Sequence, residues 1–347
     1  MNTPLNIEEF IKLSEQFPMI DVRSPGEFEQ GHIPGAHNIP LFDNDERAKV
    51  GTIYKQVGRE KAIETGYKIV TPKLKSFIEQ TRKFSSSAIL VHCWRGGMRS
   101  AGFANFLNEN GINTHTLIRG YKAFRSYVLK SFEKNVNLLI LGGETGSGKT
   151  EILKKMGEAG ELIIDLENLA HHKGSAFGSL GEKSQPTQEQ FENNLAFNFF
   201  NTSNPGKVIW LEDESRAIGT CQIPNSLWEK MKEAPIIRVK IPKEQRIERL
   251  MNDYGKFSKE ELANCILKIQ KRLGPQHAKH ALEELEMGNL RTVADSTLTY
   301  YDKAYDYNHE KRNFKDVFFV ECENADANSN AKKVLEFVNK KFKKEYA

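Results

Sequence analysis

Twice along this chain a short apolar run stops at a glycine-rich loop that opens a helix, and this pattern narrows the fold to α/β. The first is Ala88-Ile89-Leu90-Val91-His92, followed by Cys93-Trp94-Arg95-Gly96-Gly97-Met98-Arg99-Ser100. The second is Val136-Asn137-Leu138-Leu139-Ile140-Leu141, followed by Gly142-Gly143-Glu144-Thr145-Gly146-Ser147-Gly148-Lys149-Thr150. Apolar runs closed by glycine are the mark of parallel strands buried on both faces. Around the first, Met19–Val22, Ala36–Ile39 and Thr116–Ile118 read as strands and Pro25–Gln30 as a helical turn, a doubly wound pattern. After the second, Leu162–Leu166, Val208–Leu211, Ile236–Ile241 and Val317–Val320 read as strands. The clearest helices between them are Lys243–Tyr254 and Lys259–Leu273, and the polar Asn324–Asn330 reads as a loop. An amphipathic helix over Gly120–Lys134 joins the halves, with the boundary expected near Lys130–Asn135. The chain of 347 residues is thus expected to form two α/β domains, 1–130 and 131–347.

Composition excludes several other classes. Apolar residues make up 39% and charged residues 28%, too apolar for a disordered chain. No apolar run approaches the ~20 residues of a membrane helix, so no membrane partner is expected. MNTPLNIEEFIKL carries no basic segment followed by an apolar core, so no secretory leader is expected. The four cysteines, Cys93, Cys221, Cys265 and Cys322, form no C-x-x-C pair, which argues against a zinc ribbon or disulfide framework and for a reducing cytoplasm.

Cys93 ends a buried strand and heads a loop with two arginines and two glycines. Amides converging at a helix N-terminus make an anion nest. Arg95 and Arg99 add positive charge, and both effects favour a thiolate. The competing reading is a buried structural cysteine. Upstream, Asp21-Val22-Arg23-Ser24-Pro25-Gly26-Glu27-Phe28 and Gly31-His32-Ile33-Pro34-Gly35-Ala36-His37-Asn38-Ile39-Pro40 resemble the signature of the rhodanese superfamily. That resemblance implies a cysteine carrying a persulfide or perselenide cradled by loop amides, with Asp21, Arg23, His32 and Pro34 at structural positions. Five residues separate Cys93 from Arg99, where many single-domain rhodaneses have one fewer. The longer spacing is similar to that of the cysteine phosphatases, so either chemistry fits a loop built for a tetrahedral oxyanion.

Gly143-x-x-x-x-Gly148-Lys149-Thr150 matches the Walker A pattern between a strand and a helix expected over Glu151–Glu158. The amides of Gly143, Gly146, Ser147 and Gly148 would cradle a polyphosphate, Lys149 would neutralise it, and Thr150 would be placed for Mg²⁺. Val208–Leu211 runs into Glu212-Asp213-Glu214, like a Walker B strand, with the metal-facing acid open. Asp165, at the head of the Asp165–Gly178 segment, suits a substrate or Mg²⁺ role beside the phosphate site. His171 and His172 point to different faces whether helix or strand, so surface histidines are expected rather than a metal pair. No base-reading group is evident, so a nucleotide is not implied by the loop alone.

Between Arg238 and His280 stand eleven basic and five acidic residues, a run that could track RNA phosphates or simply be a solvated face. Tyr300, Tyr301, Tyr305 and Tyr307 could stack bases or pack helices.

A rhodanese-like half followed directly by a Walker A half resembles the bacterial tRNA 2-selenouridine synthase family, nearly end to end. The matching segments beyond the two motifs are Arg47–Gly66, Cys93–Gly102, Asp165–Gly178 and Leu211–Gly219. The resemblance implies a transferase acting on wobble 2-thiouridine, in tRNAs for Lys, Glu and Gln. Sulfur is geranylated from geranyl diphosphate, and selenium from selenophosphate then replaces the geranylthio group. It implies no tightly bound cofactor, Mg²⁺ accompanying the diphosphate, and a supplier of selenophosphate as a further partner. Cys93 would accept or position selenium with Arg95 and Arg99, and Lys149 and Thr150 would hold a diphosphate, with a nucleotide as the alternative. The rival classes are a sulfurtransferase or phosphatase fused to a P-loop kinase, and a regulatory binding protein in which neither loop turns over. The oligomeric state is left open.

Overall fold

The computed structural model describes residues 3–202, 207–312 and 316–342. The chain divides into two compact units, Met1–Ser131 with Glu192–Phe197, and Phe132–Phe191 with Asn198–Ala347.

The first unit is a five-stranded parallel sheet in the order β1-β5-β4-β2-β3, made of β1 (Thr3–Leu5), β2 (Met19–Asp21), β3 (Ala36–Asn38), β4 (Ile89–His92) and β5 (Thr114–Leu117). Helices α1 (Ile7–Ser14), α2 (Pro25–Gln30), α3 (Asn44–Gln56), α4 (Arg59–Val70), α5 (Leu74–Arg82), α6 (Met98–Glu109) and α7 (Gly120–Ser131) complete it. All four residues of β4 are buried. Its Ile89 and Val91 pack with Ile20, Val22, Phe77, Phe103 and Leu107. Each such side chain contributes roughly 1.5–3 kcal/mol by burial.

The fifth strand begins two residues before the expected Thr116, because Ile89 pairs with Thr114 and the buried Thr114 continues the ladder. The helix expected over Gly120–Lys134 stops at Ser131. Helix α3 is unusual in burying none of its thirteen residues.

The second unit has a five-stranded parallel sheet in the order β12-β11-β6-β8-β7. Its strands are β6 (Asn137–Gly143), β7 (Leu162–Ile164), β8 (Val208–Glu212), β11 (Ile236–Lys240) and β12 (Val317–Glu321), with a two-stranded ribbon β9 (Ala217–Ile218) and β10 (Cys221–Gln222). Helices α8 (Lys149–Glu158), α9 (Leu166–Ala170), α11 (Asn225–Glu233), α12 (Lys243–Tyr254), α13 (Lys259–Leu273), α14 (Pro275–Glu286), α15 (Leu290–Arg312) and α16 (Ala327–Phe342) surround and extend it, while α10 (Gln188–Thr202) is divided, its Glu192–Phe197 stretch counting with the first unit. Leu139, Leu141, Trp210, Ile237 and Val239 fill the sheet core with Ile152, Leu153 and Met156 of α8. A second core, including Leu262, Ile266, Ile269, Ala278 and Leu285, holds α13 to α15 together.

Two expectations are corrected here, both by helix caps. The strand read over Leu162–Leu166 ends at Ile164, because Asp165 accepts a hydrogen bond from the Asn168 N–H (2.8 Å) and starts α9. The loop read over Asn324–Asn330 is half helix. Asp326 accepts from the Ser329 N–H (2.8 Å), and the buried Asn330 donates back to the Asn324 carbonyl (2.9 Å), so polar residues here cap rather than loop. Among the described residues no helix is long and apolar enough to cross a membrane.

Candidate functional site

Each strand–helix junction singled out by sequence builds a site of its own. In the first unit, β4 delivers Cys93 to the sheet's C-terminal edge, where doubly wound folds place ligands. The loop is clamped to the turn after β5. The Tyr121 N–H donates to the Cys93 carbonyl (2.8 Å) and the Lys122 N–H to the Trp94 carbonyl (3.0 Å). This clamp demands glycine. Gly96 and Gly120 both have positive φ (63° and 55°), and a Cβ on Gly120 would stand 2.1 Å from the Cys93 carbonyl oxygen.

Below the loop lies a buried charge pair. Arg23 donates to both Asp21 oxygens (Nη2 to Oδ2, 2.6 Å), and its guanidinium stacks on the Tyr121 ring at 3.8 Å. Burial pushes the neighbouring His92 down to about 4, so it is neutral near pH 7. Asp21, against the upward push of burial, is held below the usual carboxylate range by His92 and Arg23. These residues support the strand end and do not approach the sulfur.

Cys93 itself is buried, and its sulfur lies 3.2 Å from Ser100 Oγ. Arg95 is exposed. Arg99 turns to Glu27 (3.0 Å), which also meets Arg47 (3.5 Å). The loop therefore brings Cys93 and Ser100 together, while Arg99 is engaged elsewhere. Ser100 and Glu27 carried no sequence signal of their own, although Ser100 closes the cysteine loop and Glu27 lies in the rhodanese-like signature.

In the second unit, the Walker A loop joins β6 to α8, whose helix starts at Lys149, two residues before the expected Glu151. Lys149 Nζ donates to the Gly143 carbonyl (3.1 Å). Ser147 Oγ is buried with no hydrogen-bond partner among the described residues, an orphan that an anion in the loop would satisfy. Glu144 fastens the loop to Arg238 of β11 (3.4 Å) and Arg246 of α12 (3.3 Å), and Arg246 also donates to the Thr145 carbonyl (3.2 Å). Arg246 is buried and paired with Asp302 (2.8 Å). Several cations of the basic run are thus committed to holding the phosphate loop, and the run is not one free electrostatic face.

Of the acids proposed for a metal or substrate, Glu212 reaches Thr150 (Oε1 to Oγ1, 2.7 Å). Asp213 instead accepts from the Tyr305 hydroxyl (2.7 Å), whose oxygen accepts from the Gly143 N–H (3.0 Å). Asp165 caps α9 and pairs with Lys154 (3.4 Å). The acid missed by sequence is Glu167, whose Oε2 is also 2.7 Å from Thr150 Oγ1. One hydroxyl proton serves one carboxylate, so a second carboxyl must carry a proton to donate back. Burial and the nearby Glu167 push Glu212 well up and Glu214 up to about 8; burial raises Glu167 as well. A hydroxyl and converging carboxylate oxygens suit a hard cation such as Mg²⁺ bound with a phosphate. Among the described residues, no three His, Cys, Asp or Glu side chains form a complete metal cage.

Beside Thr145 lies a half-open cavity of about 60 Å³, lined chiefly by Phe177, Leu250, Met251, Tyr254, Leu262 and Val293. No charged or amide side chain lines it.

The remaining expectations resolve toward packing. Tyr301 accepts from the Ala176 N–H (3.1 Å), Tyr305 bridges Asp213 and Gly143, and Tyr300 packs edge-on against Tyr301. The side chain of Tyr307 lies outside the described residues. His171 and His172, expected at the surface, are half-buried, and His171 Nδ1 lies 2.8 Å from the Ser184 carbonyl.

A family model described as the tRNA 2-selenouridine synthase AAA domain matches residues 136–341, and one described as a rhodanese-like domain matches residues 6–127. Three proteins named tRNA 2-selenouridine synthase are similar over most of their length. That of Aeromonas salmonicida (strain A449) is 34% identical over 343 residues, covering 88% of this chain and 90% of that protein. That of Sulfurovum sp. (strain NBC37-1) is 36% identical over 337 residues, covering 87% and 91%. That of Bdellovibrio bacteriovorus (strain ATCC 15356 / DSM 50701 / NCIMB 9529 / HD100) is 35% identical over 355 residues, covering 88% and 92%.

Proposed function

The chain belongs to the tRNA 2-selenouridine synthase family, and from that premise we propose that it is a tRNA-modifying transferase whose two loops divide a two-step exchange at wobble 2-thiouridine. In the first step the thiocarbonyl sulfur attacks geranyl diphosphate: an S–C bond forms, a C–O bond breaks, and diphosphate leaves. In the second, the P–Se bond of selenophosphate breaks by hydrolysis, leaving phosphate and a selenide-level nucleophile; selenium bonds to C2 of the base, the C2–S bond breaks, and geranylthiol leaves. The alkylated sulfur leaves far more readily than a thiocarbonyl, which is why the first step precedes the second.

The observation that carries the first step is the largely apolar cleft at Thr145 of the phosphate loop, which is open on one side and at about 60 Å³ would seat only part of a prenyl chain. The walls carry no amide or charged side chain, only the hydroxyls of Thr145, Ser175, Tyr254, Thr297 and Tyr301 among apolar residues, which favours an apolar group over a base. A branched hydrocarbon needs only apolar walls. Gly146, Ser147, Gly148 and Lys149 would hold the diphosphate, and the unpartnered Ser147 hydroxyl supports an oxyanion there. Thr150, Glu212 and Glu167 would hold Mg²⁺, which would neutralise charge gathering on the leaving diphosphate. At the other loop Cys93 would position the selenium nucleophile, with Ser100 Oγ beside the sulfur (3.2 Å) and the loop amides stabilising an anion.

Calorimetric titration of the full chain with geranyl diphosphate and with ATP, each with Mg²⁺, tests the assignment of the phosphate loop. Geranyl diphosphate is expected to bind at least tenfold tighter than ATP, and Lys149→Ala to abolish binding. ATP binding as tightly would overturn it and return the loop to a nucleotide.

A further inference from the structure

Helix α3 fully buries none of its residues, touching the core only through the partly buried Val50. Its hairpin with α4 meets the cysteine loop: Arg59 Nη2 lies 3.8 Å from Met98 Sδ, and Arg47 shares Glu27 with Arg99. Around Cys93 the exposed surface is of one kind. Trp94, Met98 and Ile118 are 36%, 53% and 48% exposed, unusual for large apolar side chains beside a buried thiol. Interleaved with them are the exposed cations Arg59, Arg95, Arg119 and Lys122. The segments Trp94–Arg99 and Leu117–Lys122 contain no acid. Arg119 is moreover held in the left-handed region (φ 62°), which a non-glycine residue adopts only under strain. Its backbone is fixed against the loop, where a Cβ on Gly96 would lie 2.7 Å from the Arg119 nitrogen.

We propose that this rim is the docking surface for a single-stranded RNA loop, with Trp94 as a stacking platform for a splayed base and Arg59, Arg119 and Lys122 as phosphate contacts. The inference rests on the proposed action on tRNA and adds where the RNA sits. Single-stranded RNA is recognised by aromatic platforms flanked by cations, and a base must leave its stack to reach a thiol that is only 2% exposed. The exposed Arg95, Arg119 and Lys122 stand on segments that contain no acid and complement phosphates, while Glu27 is taken up by Arg99 and Arg47.

The test measures binding of a tRNA carrying wobble 2-thiouridine to the full chain by anisotropy, over a range of salt. Trp94→Ala is expected to weaken binding roughly tenfold, and Trp94→Phe to restore most of it. Arg59→Gln with Lys122→Gln is expected to flatten the dependence of log K on log salt by about 0.7 for every phosphate that the variant no longer neutralises. Thermal unfolding of each variant separates these effects from misfolding. If native protein converts the tRNA while all these variants bind it with unchanged affinity and salt slope, the inference fails and the rim serves a protein partner instead. If native protein neither binds nor converts the tRNA, the proposed function fails first.

Discussion

The two strand–helix loops use the same backbone device and opposite electrostatics. The cysteine loop sits above a compensated pair, Asp21 and Arg23, beside a neutral His92, and its shape is fixed by close backbone contact at Gly96 and Gly120. The Walker loop is ringed by carboxyls that burial and mutual repulsion push upward, Glu212, Glu214 and Glu167, and is fastened by Arg238 and Arg246. A closed, charge-balanced loop is complete without a ligand. A loop ringed by acids whose charge burial disfavours, with an unpartnered Ser147, is one that we propose a phosphate and a cation complete.

The largest effect that could break this contrast is at Gly120. Gly120→Ala puts a methyl group where the Cys93 carbonyl stands and forces a left-handed residue. It is expected to destabilise the first unit by about 3 kcal/mol or more in chemical denaturation. A loss below about 1 kcal/mol would mean that the clamp is not tight.

The electrostatic half of the contrast predicts opposite pH slopes. His92 titrates below its ordinary 6.5, at about 4, so its contribution is complete above pH 6.5 and is lost as pH falls toward 4. Glu214 titrates above its ordinary 4.5, at about 8, so its contribution is complete below pH 4.5 and is lost as pH rises through 8. Hydrogen exchange should therefore show β4 losing protection on acidification and β8 losing it between pH 4.5 and 8. Glu214→Gln should flatten the second trend and leave the first. Parallel slopes in the two units would refute the distinction.

A smaller change sharpens the assignment of the Walker loop. Ala294→Phe fills the cavity beside Thr145 and is expected to raise KM for geranyl diphosphate about tenfold, while binding of inorganic diphosphate stays the same. Equal loss for both ligands would place the cavity outside the substrate site.

The central strands β4, β6, β8 and β11 are legible because strands buried on both faces read as apolar runs, whereas β1 and the β9–β10 ribbon are not, being only two or three residues long and partly exposed. Helix α12 was legible to the residue because Pro242 and Gly255 bound it, and α13 because the Ser258 capping box and Gly274 do. Polar caps hid the starts of α9 and α16, since capping residues and loop residues are the same types. The acid facing Thr150 from α9, Glu167, was hidden because it meets Glu212 across 45 residues of chain. Tyr305 and Arg246 were hidden in the same way: nothing local to α12 or α15 says that their polar ends converge on the β6 loop. The direction of Arg99 was hidden too, since its partner Glu27 lies 72 residues away.

The most direct test of divided labour is mass analysis of nucleosides from 2-thiouridine tRNA incubated with geranyl diphosphate and selenophosphate, for the native chain, Cys93→Ser and Lys149→Ala. The account predicts 2-selenouridine with the native chain, accumulation of the geranylated base with Cys93→Ser, and untouched 2-thiouridine with Lys149→Ala. Full conversion by either variant, or the same stalled product from both, would contradict it.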